Sequence, residues 1–324
     1  MTSPRINRRT MFRTAAAGAG VAAAGAAGAG AFLAGRDSGA PVRLPGAGNA
    51  EFRWLGVSGW RVDIGGDTLL IDPYLSRYPV GLAAGAFDPN APLRVDPAAI
   101  DPHVGNPKYV FVTHTHWDHF NDVPHIAARS GARVFGTLTT YHVAQACDVP
   151  SEQLSVVRGG EVLDFGGYTV EIVGSLHSRT GRYSVTFPGV RTSRPERPAT
   201  IADLPEGDTL AFLLRVDGGP SVFFMGASDF VERNLTGATP DVAMIAVNSS
   251  DATHDYAARL TRALDYPRTV VPVHWDDFES PLANPPRTDE KSAQRRDSLI
   301  AAVRAASPET EVIVPEYLTP YRFG

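Results

Sequence analysis

Thr113-His114-Thr115-His116-Trp117-Asp118-His119 places three imidazoles and a carboxylate within six positions. In a chain of 324 residues with 9 histidines, chance produces this pattern in roughly one sequence in two thousand, which counts against a surface turn that merely happens to be rich in histidine. Imidazole is the commonest ligand for zinc-like metals, and an aspartate adds an anionic oxygen that binds metal or holds a water. The chemistry these residue types point to is metal binding and activation of water. A cysteine-based zinc ribbon is excluded, because Cys147 is the only cysteine, and for the same reason the fold contains no internal disulfide.

Such a cluster needs a strand behind it. Lys108–Thr113 reads as a buried strand that ends where the chain turns and aims alternate side chains at one point. Upstream, Phe52–Val57, Trp60–Ile64 and Thr68–Asp72 predict three strands, the last two joined by a Gly65-Gly66-Asp67 turn. Residues 75–107 are rich in proline, glycine and aspartate without a clear period, which predicts a long loop of the kind that covers a site. Helices are predicted at 122–130 and 138–147, and strands near 154–157, 161–165, 168–174, 182–187, 209–216 and 221–225, with a surface loop over Pro188–Pro205. Beyond it, Asp241–Val247 and Thr269–Val273 predict strands, Thr253–Leu264 a helix capped by Thr253, Glu290–Ala306 an amphipathic helix and 311–314 a last strand. Two mixed β-sheets with helices outside them, an α/β fold of the αββα sandwich type, suit this order.

His-x-His-x-Asp-His after a buried strand resembles the signature of the metallo-β-lactamase superfamily, whose αββα fold matches that architecture. The similarity runs over most of residues 51–315. Trp54-Leu55-Gly56, the Leu69–Pro73 segment ending in Asp72-Pro73, and Pro272-Val273-His274-Trp275 resemble the branch of metal-dependent hydrolases related to ascorbate-phosphate lactonases and the N-acylphosphatidylethanolamine phospholipase D type. The resemblance implies a further histidine after a strand, which His177 supplies, and an aspartate after a later one, for which Asp229 is the candidate. Relatives commonly have Gly-Asp adjacent there, whereas Ala227 and Ser228 stand between Gly226 and Asp229 here. The implied ligand set is His114, His116 and His177 for one divalent ion and Asp118, His119 and His274 for another, with Asp229 between them. Zinc is the first expectation, with manganese or iron as alternatives. His114, His116 and Asp118 are then the residues expected to carry catalysis, a hydroxide held by metal attacking a lactone, ester or phosphodiester of a small-molecule or lipid-like substrate.

Two other functions stay open on the same residues. A single iron in this ligand set supports oxygen chemistry on thiols or persulfides, and the fold also serves non-catalytic binding proteins. Around the ligands, Asp72 is either a carboxylate that orients a metal-bound histidine or a turn residue before Pro73. His103, His125 and His142 read as surface or helix residues, and His254 either as a proton donor facing the site or as a solvent-exposed residue; Arg179 and Arg182 read as solvated charges or as contacts to an anionic substrate; Trp117 and Trp275 either wall the pocket or pack beneath it.

The first 40 residues read differently from the rest. Asn7-Arg8-Arg9-Thr10-Met11-Phe12-Arg13 precedes an uncharged, alanine- and glycine-rich stretch from Thr14 to Gly35, and resembles a twin-arginine export signal. That implies passage through the twin-arginine machinery to an extracytoplasmic or secreted location, or membrane anchoring if the segment is retained. Residues 1–40 are therefore read as signal and linker, and 51–324 as one hydrolase domain. Setting the first 40 aside, with their five arginines and one acid, leaves 25 basic and 34 acidic side chains, a net of −9. A body so acidic is a poor partner for a nucleic-acid backbone.

Overall fold

The computed structural model describes residues 50–324 and the backbone of Val42–Arg43, so the Arg8-Arg9 segment and its export reading lie outside the described residues. The first sheet runs through β1 (Val42–Arg43), β2 (Ala50–Gly56), β3 (Gly59–Ile64), β4 (Asp67–Ile71), β5 (Tyr109–Phe111), β6 (Arg133–Gly136) and β7 (Leu154–Val156). The second runs through β8 (Val162–Asp164), β9 (Tyr168–Gly174), β10 (Leu210–Val216), β11 (Ser221–Met225), β12 (Val242–Ala246), β13 (Thr269–Val273) and β14 (Glu311–Val312). The last strand, β15 (Pro320–Arg322), returns to the first sheet and lies between β1 and β2.

Each sheet is mixed. β2, β3 and β4 form an antiparallel meander and β4 to β7 run parallel; β8 to β11 are antiparallel and β11 to β14 parallel. From Tyr168 to Ile172 of β9 the side chains alternate between buried and half-buried, as a strand with one wet face requires, whereas every residue of β12 and β13 is buried. Pro272 is tolerated inside β13 because β14 pairs only with Thr269 and Val270, so no β14 partner asks for the missing N–H. Aromatic side chains fill the space between the sheets: Phe111 of β5 stacks on Phe135 of β6 at 4.9 Å and meets Phe212 of β10 edge-on at 5.4 Å.

Helices α1 (Pro97–Val104), α2 (Trp117–Phe120), α3 (Val123–Ser130) and α4 (Leu138–Ala146) belong to the first sheet's side, where Ile100, Val123, Ile126 and Val143 pack over Leu70, Val110 and Val112 in a second core. α5 (Tyr256–Ala263) and α6 (Glu290–Ala306) pack on each other, and α6 also meets β13. The result is the αββα sandwich expected from the sequence. Among the described residues no helix is long and apolar enough to cross a membrane.

Several local expectations change. The long 75–107 loop contains α1, started by the Asp96 carboxylate accepting the Ala98 N–H at 3.0 Å. Residues 182–187 are not a strand: Tyr183 and Phe187 have positive φ, and Phe187 sets its ring against that of His116 instead of the segment joining a ladder. Thr253 does not cap α5, which begins after Asp255; its hydroxyl instead donates to the Ser228 carbonyl at 2.7 Å.

Candidate metal centre

The functional side chains stand just past the ends of β5, β9 and β13. β5 delivers Thr113 and His114, and the short helix α2 then turns the chain so that His116, immediately before it, and Asp118 and His119, within it, face the same region. From the second sheet, His177 follows the end of β9 by three residues and His274 follows β13 directly. Two groups result, His114, His116 and His177 in one and Asp118, His119 and His274 in the other, each with its ligand atoms within 4.8 Å of one another. Either group takes two members from the first sheet's loop and one from the second sheet. The groups adjoin, the His114 and His119 ring centroids being 4.0 Å apart.

These residues fit metal ions on a direct observation. Nε2 of His114, His116 and His119 and Nδ1 of His274 are buried and have no hydrogen-bond partner, a costly state unless something positive shares those lone pairs. Three of the histidines are held through Nδ1. His119 Nδ1 lies 2.8 Å from the Asp72 carboxylate, His114 Nδ1 lies 3.0 Å from the Thr113 hydroxyl, and His177 Nδ1 donates to the Ser178 carbonyl at 2.8 Å. Asp72 also accepts the Thr113 N–H and O–H, at 2.7 and 2.5 Å, so of its two readings the structure favours the orienting one. Gly226 is required behind this pair, since a Cβ there would come within 2.1 Å of Thr113 Oγ1. His274 has φ +59° and is clamped: its N–H donates to the Val57 carbonyl at 2.8 Å, and Val57 N–H donates to Asp276 at 3.0 Å.

The protonation states suit ligands. Burial and the surrounding imidazoles hold His114 well below the usual histidine range. Burial pushes His116 down to about 4 and, with His116 adding to it, His177 down to about 3. Burial opposes the charge on His119, but Asp118 and Asp72 together hold it above the usual range. Burial likewise opposes the charge of Asp118, yet His119 and His274 keep its carboxyl far below the ordinary value. Between about pH 6.5 and the folded values of His114, His116 and His177, the unfolded chain binds more protons than the native one. That part of the stability is present above about pH 6.5 and is lost on acidification, whereas the His119 contribution is present at low pH and lost as pH rises. With three groups against one, the metal-free protein is expected to unfold at lower urea concentration near pH 5 than near pH 7. An unchanged or higher midpoint near pH 5 would contradict this reading of the buried imidazoles.

Asp229 joins neither group. After Gly226 the chain is drawn aside: Ser228 N–H donates to Ser178 Oγ at 2.7 Å and Ser228 Oγ donates to the Asn248 carbonyl at 2.6 Å. Asp229 then bridges to the backbone of Leu176, and its carboxylate accepts the Phe230 N–H at 2.9 Å and lies 4.0 Å from Arg179. Other acids do not replace it, since Asp251 pairs with Arg295 and Asp276 with Arg77. The Asp229→Asn variant is therefore expected to keep its full metal content and near-normal turnover. Loss of one ion per chain by elemental analysis would return Asp229 to the ligand set.

The remaining residues sort clearly. His125 pairs with Asp101, His142 with the Gln145 side chain, and His254 is exposed. Trp117 lines a cavity of about 1110 Å³ that opens over both groups, while Trp275 stacks beneath, 5.6 Å from Trp54. Arg179 borders that cavity and Arg182 does not. Sequence reading missed Arg77, a buried residue that ties Asp276 into place at 2.8 Å, and no local pattern joins residues 199 positions apart.

Known proteins are similar to this chain in sequence or in fold. A UPF0173 metal-dependent hydrolase of Anaeromyxobacter dehalogenans is 26% identical over 275 residues, covering 81% of this chain and 85% of the relative. Among solved structures, a possible metal-dependent hydrolase from Veillonella parvula superposes with a TM-score of 0.55 at 19% identity, over 84% of this chain and 99% of its own. The diiron β-hydroxylase CmlA from Streptomyces venezuelae shares the fold at a TM-score of 0.56 and 15% identity, over 85% of this chain and 54% of its own. The family model described as the beta-lactamase superfamily domain matches residues 67–275, the stretch that runs from β4 through the His-x-His-x-Asp-His cluster to His274, and the chain belongs to that superfamily.

Proposed function

We propose that this metal-dependent hydrolase works through two divalent ions, one held by His114, His116 and His177 and the other by Asp118, His119 and His274, and cleaves a lactone, ester or phosphodiester. The observation that carries the reading is the pair of adjoining triads, four of whose five histidines keep one buried ring nitrogen without a hydrogen-bond partner among the described residues. When bound, divalent ions supply Lewis acidity at the scissile group and lower the pKa of water toward about 7. The chain's own part is to fix the ligands and exclude solvent. Asp72 orients the His119 ring, Thr113 bridges Asp72 and His114, and the Ser178 carbonyl fixes the His177 ring. Phe87, Trp117 and Phe187, in mutual contact at 5.9 to 6.2 Å, form an apolar wall beside His116. The relatives named as metal-dependent hydrolases support the same class of reaction.

The test is elemental analysis of protein purified without added metal, followed by lactone, aryl ester and bis-aryl phosphodiester substrates. About two zinc-like ions per chain and turnover of one class are expected. A single iron, with oxygen consumed on a thiol substrate and none of the panel hydrolysed, overturns the proposal.

A further inference from the structure

The cavity over the two triads is bordered by acids that are already engaged. Glu279 accepts the N–H groups of Val80, Leu82 and Ala83 at 2.7 to 2.9 Å. Asp277 accepts from the Glu279 N–H and the Ser280 hydroxyl, and Asp289 from the N–H and hydroxyl of Ser292 at the start of α6. Asp276 is buried against Arg77, and Asp118 stands among the candidate ligands. Of the four cations on the same border, two are engaged as well. Arg295 pairs with Asp251 at 2.9 Å, and Arg179 donates to the Tyr183 carbonyl at 3.1 Å while lying 4.0 Å from Asp229. Arg287 and Lys291 are exposed at the rim and, among the described residues, have no carboxylate within 4.0 Å. The hydrogen bonds leave those carboxylates charged but turn them toward backbone and hydroxyl donors, so Arg287 and Lys291 are the two lining cations, among the described residues, for which a bound anion would be the first direct partner.

Beside them the lining is apolar. Leu82 and Phe87 are 41% and 37% exposed, large values for side chains of this type, and both face the cavity. Phe278 completes the apolar surface, its ring set edge-on 5.2 Å from that of His274. A volume of about 1110 Å³ holds far more than the reacting bond alone.

We infer that the substrate is an organic anion with an extended apolar portion, its charged end held by Arg287 and Lys291 at the rim and its apolar portion along Leu82, Phe87 and Phe278. As a statement about substrate this rests on the hydrolytic reading; as a statement about binding it does not. A carboxylate, sulfonate or phosphate satisfies the two cations equally, and the apolar contacts require a chain of several carbons.

The test is calorimetric titration of the metal-loaded protein with octanesulfonate, a permanent anion and a weak metal ligand. Methanesulfonate and octyltrimethylammonium serve as partners lacking the chain and the negative charge. Octanesulfonate is expected to bind, and the double variant Arg287→Gln with Lys291→Gln to bind it about tenfold more weakly, two partly exposed charge contacts together being worth about that factor. Methanesulfonate and octyltrimethylammonium are expected to bind much more weakly than octanesulfonate. Equal affinity of the double variant, or equal binding of the cationic amphiphile, overturns the inference. Turnover of esters by the same preparation is read separately. Octanesulfonate binding that depends on Arg287 and Lys291, in a protein that hydrolyses nothing, would sink the hydrolytic reading and leave the anion subsite standing.

Discussion

Changing His116 to alanine is expected to remove about one metal ion per chain and to lower turnover by on the order of 100-fold or more, the scale on which a misplaced catalytic centre is felt. His116 is 3% exposed, its ring centroid lies 4.8 Å from that of His114 and 4.6 Å from that of His177, and its Nε2 faces no protein partner. Without it the first group falls to two histidines, too few for a structural or catalytic zinc site. The backbone should tolerate the change, because a buried unpartnered nitrogen leaves with the ring. The control is His142→Ala on α4, where the imidazole bonds only the Gln145 side chain of the same helix. Elemental analysis, circular dichroism and turnover of the responsive substrate check the pair. A His116→Ala protein with both ions and full activity would dismantle the first group as described.

The largest effect on stability is expected at Arg77. Its guanidinium and the Asp276 carboxylate are almost fully buried, 2.8 Å apart, and Asp276 keeps the arginine charged against the burial that opposes it. The Tyr317 hydroxyl also donates to Asp276 at 2.8 Å, and the Arg77 Nε donates to the Ser280 carbonyl at 2.7 Å. Arg77→Met leaves a buried carboxylate without its cation, a change that costs about 3–5 kcal/mol when one partner of such a pair is removed. Asp276 also fixes Val57, whose carbonyl accepts the His274 N–H, so the loss should spread to the second group and weaken its metal. Urea unfolding of the metal-free variant measures the first effect and metal titration the second. A destabilisation below about 1 kcal/mol would mean that the carboxylate finds water in place of the arginine.

How much of this could be read from the chain depended on whether the signal was local. The His-x-His-x-Asp-His run carries four candidate ligands in one stretch, so residue type and spacing suffice to see it. His177 and His274 are single residues whose value comes from standing past strand ends, and they were reachable only through resemblance to a known superfamily. Other features carried misleading local signals. β6 is four residues long, begins with an exposed arginine and is squeezed between two helices, so its apolar Val134 and Phe135 do not register as a strand. α1 holds Pro97 and Pro102, and its proline-rich surroundings hide an eight-residue helix. Residues 182–187 alternate as a strand would, but their backbone lies beside His116, where the main-chain oxygens of Thr186 and Phe187 favour that ring's charged form. Asp229 shows the limit of counting from a motif. Ser228 is tied to Ser178, and the Asp229 carboxylate that follows accepts the Phe230 N–H.

Each triad draws two members from one sheet and the third from the other, so an ion bound there acts as a fastener across the seam of the sandwich. Ligand free energy thereby becomes folding free energy. With ion present at a hundredfold excess over its dissociation constant, linkage adds about 2.7 kcal/mol per independent site to the native state. The same seam is where chelation would act first, loosening contacts between sheets before strands within either sheet part. Thermal stability should thus track the logarithm of free metal concentration, so a melting curve doubles as a gauge of occupancy even where no substrate is known.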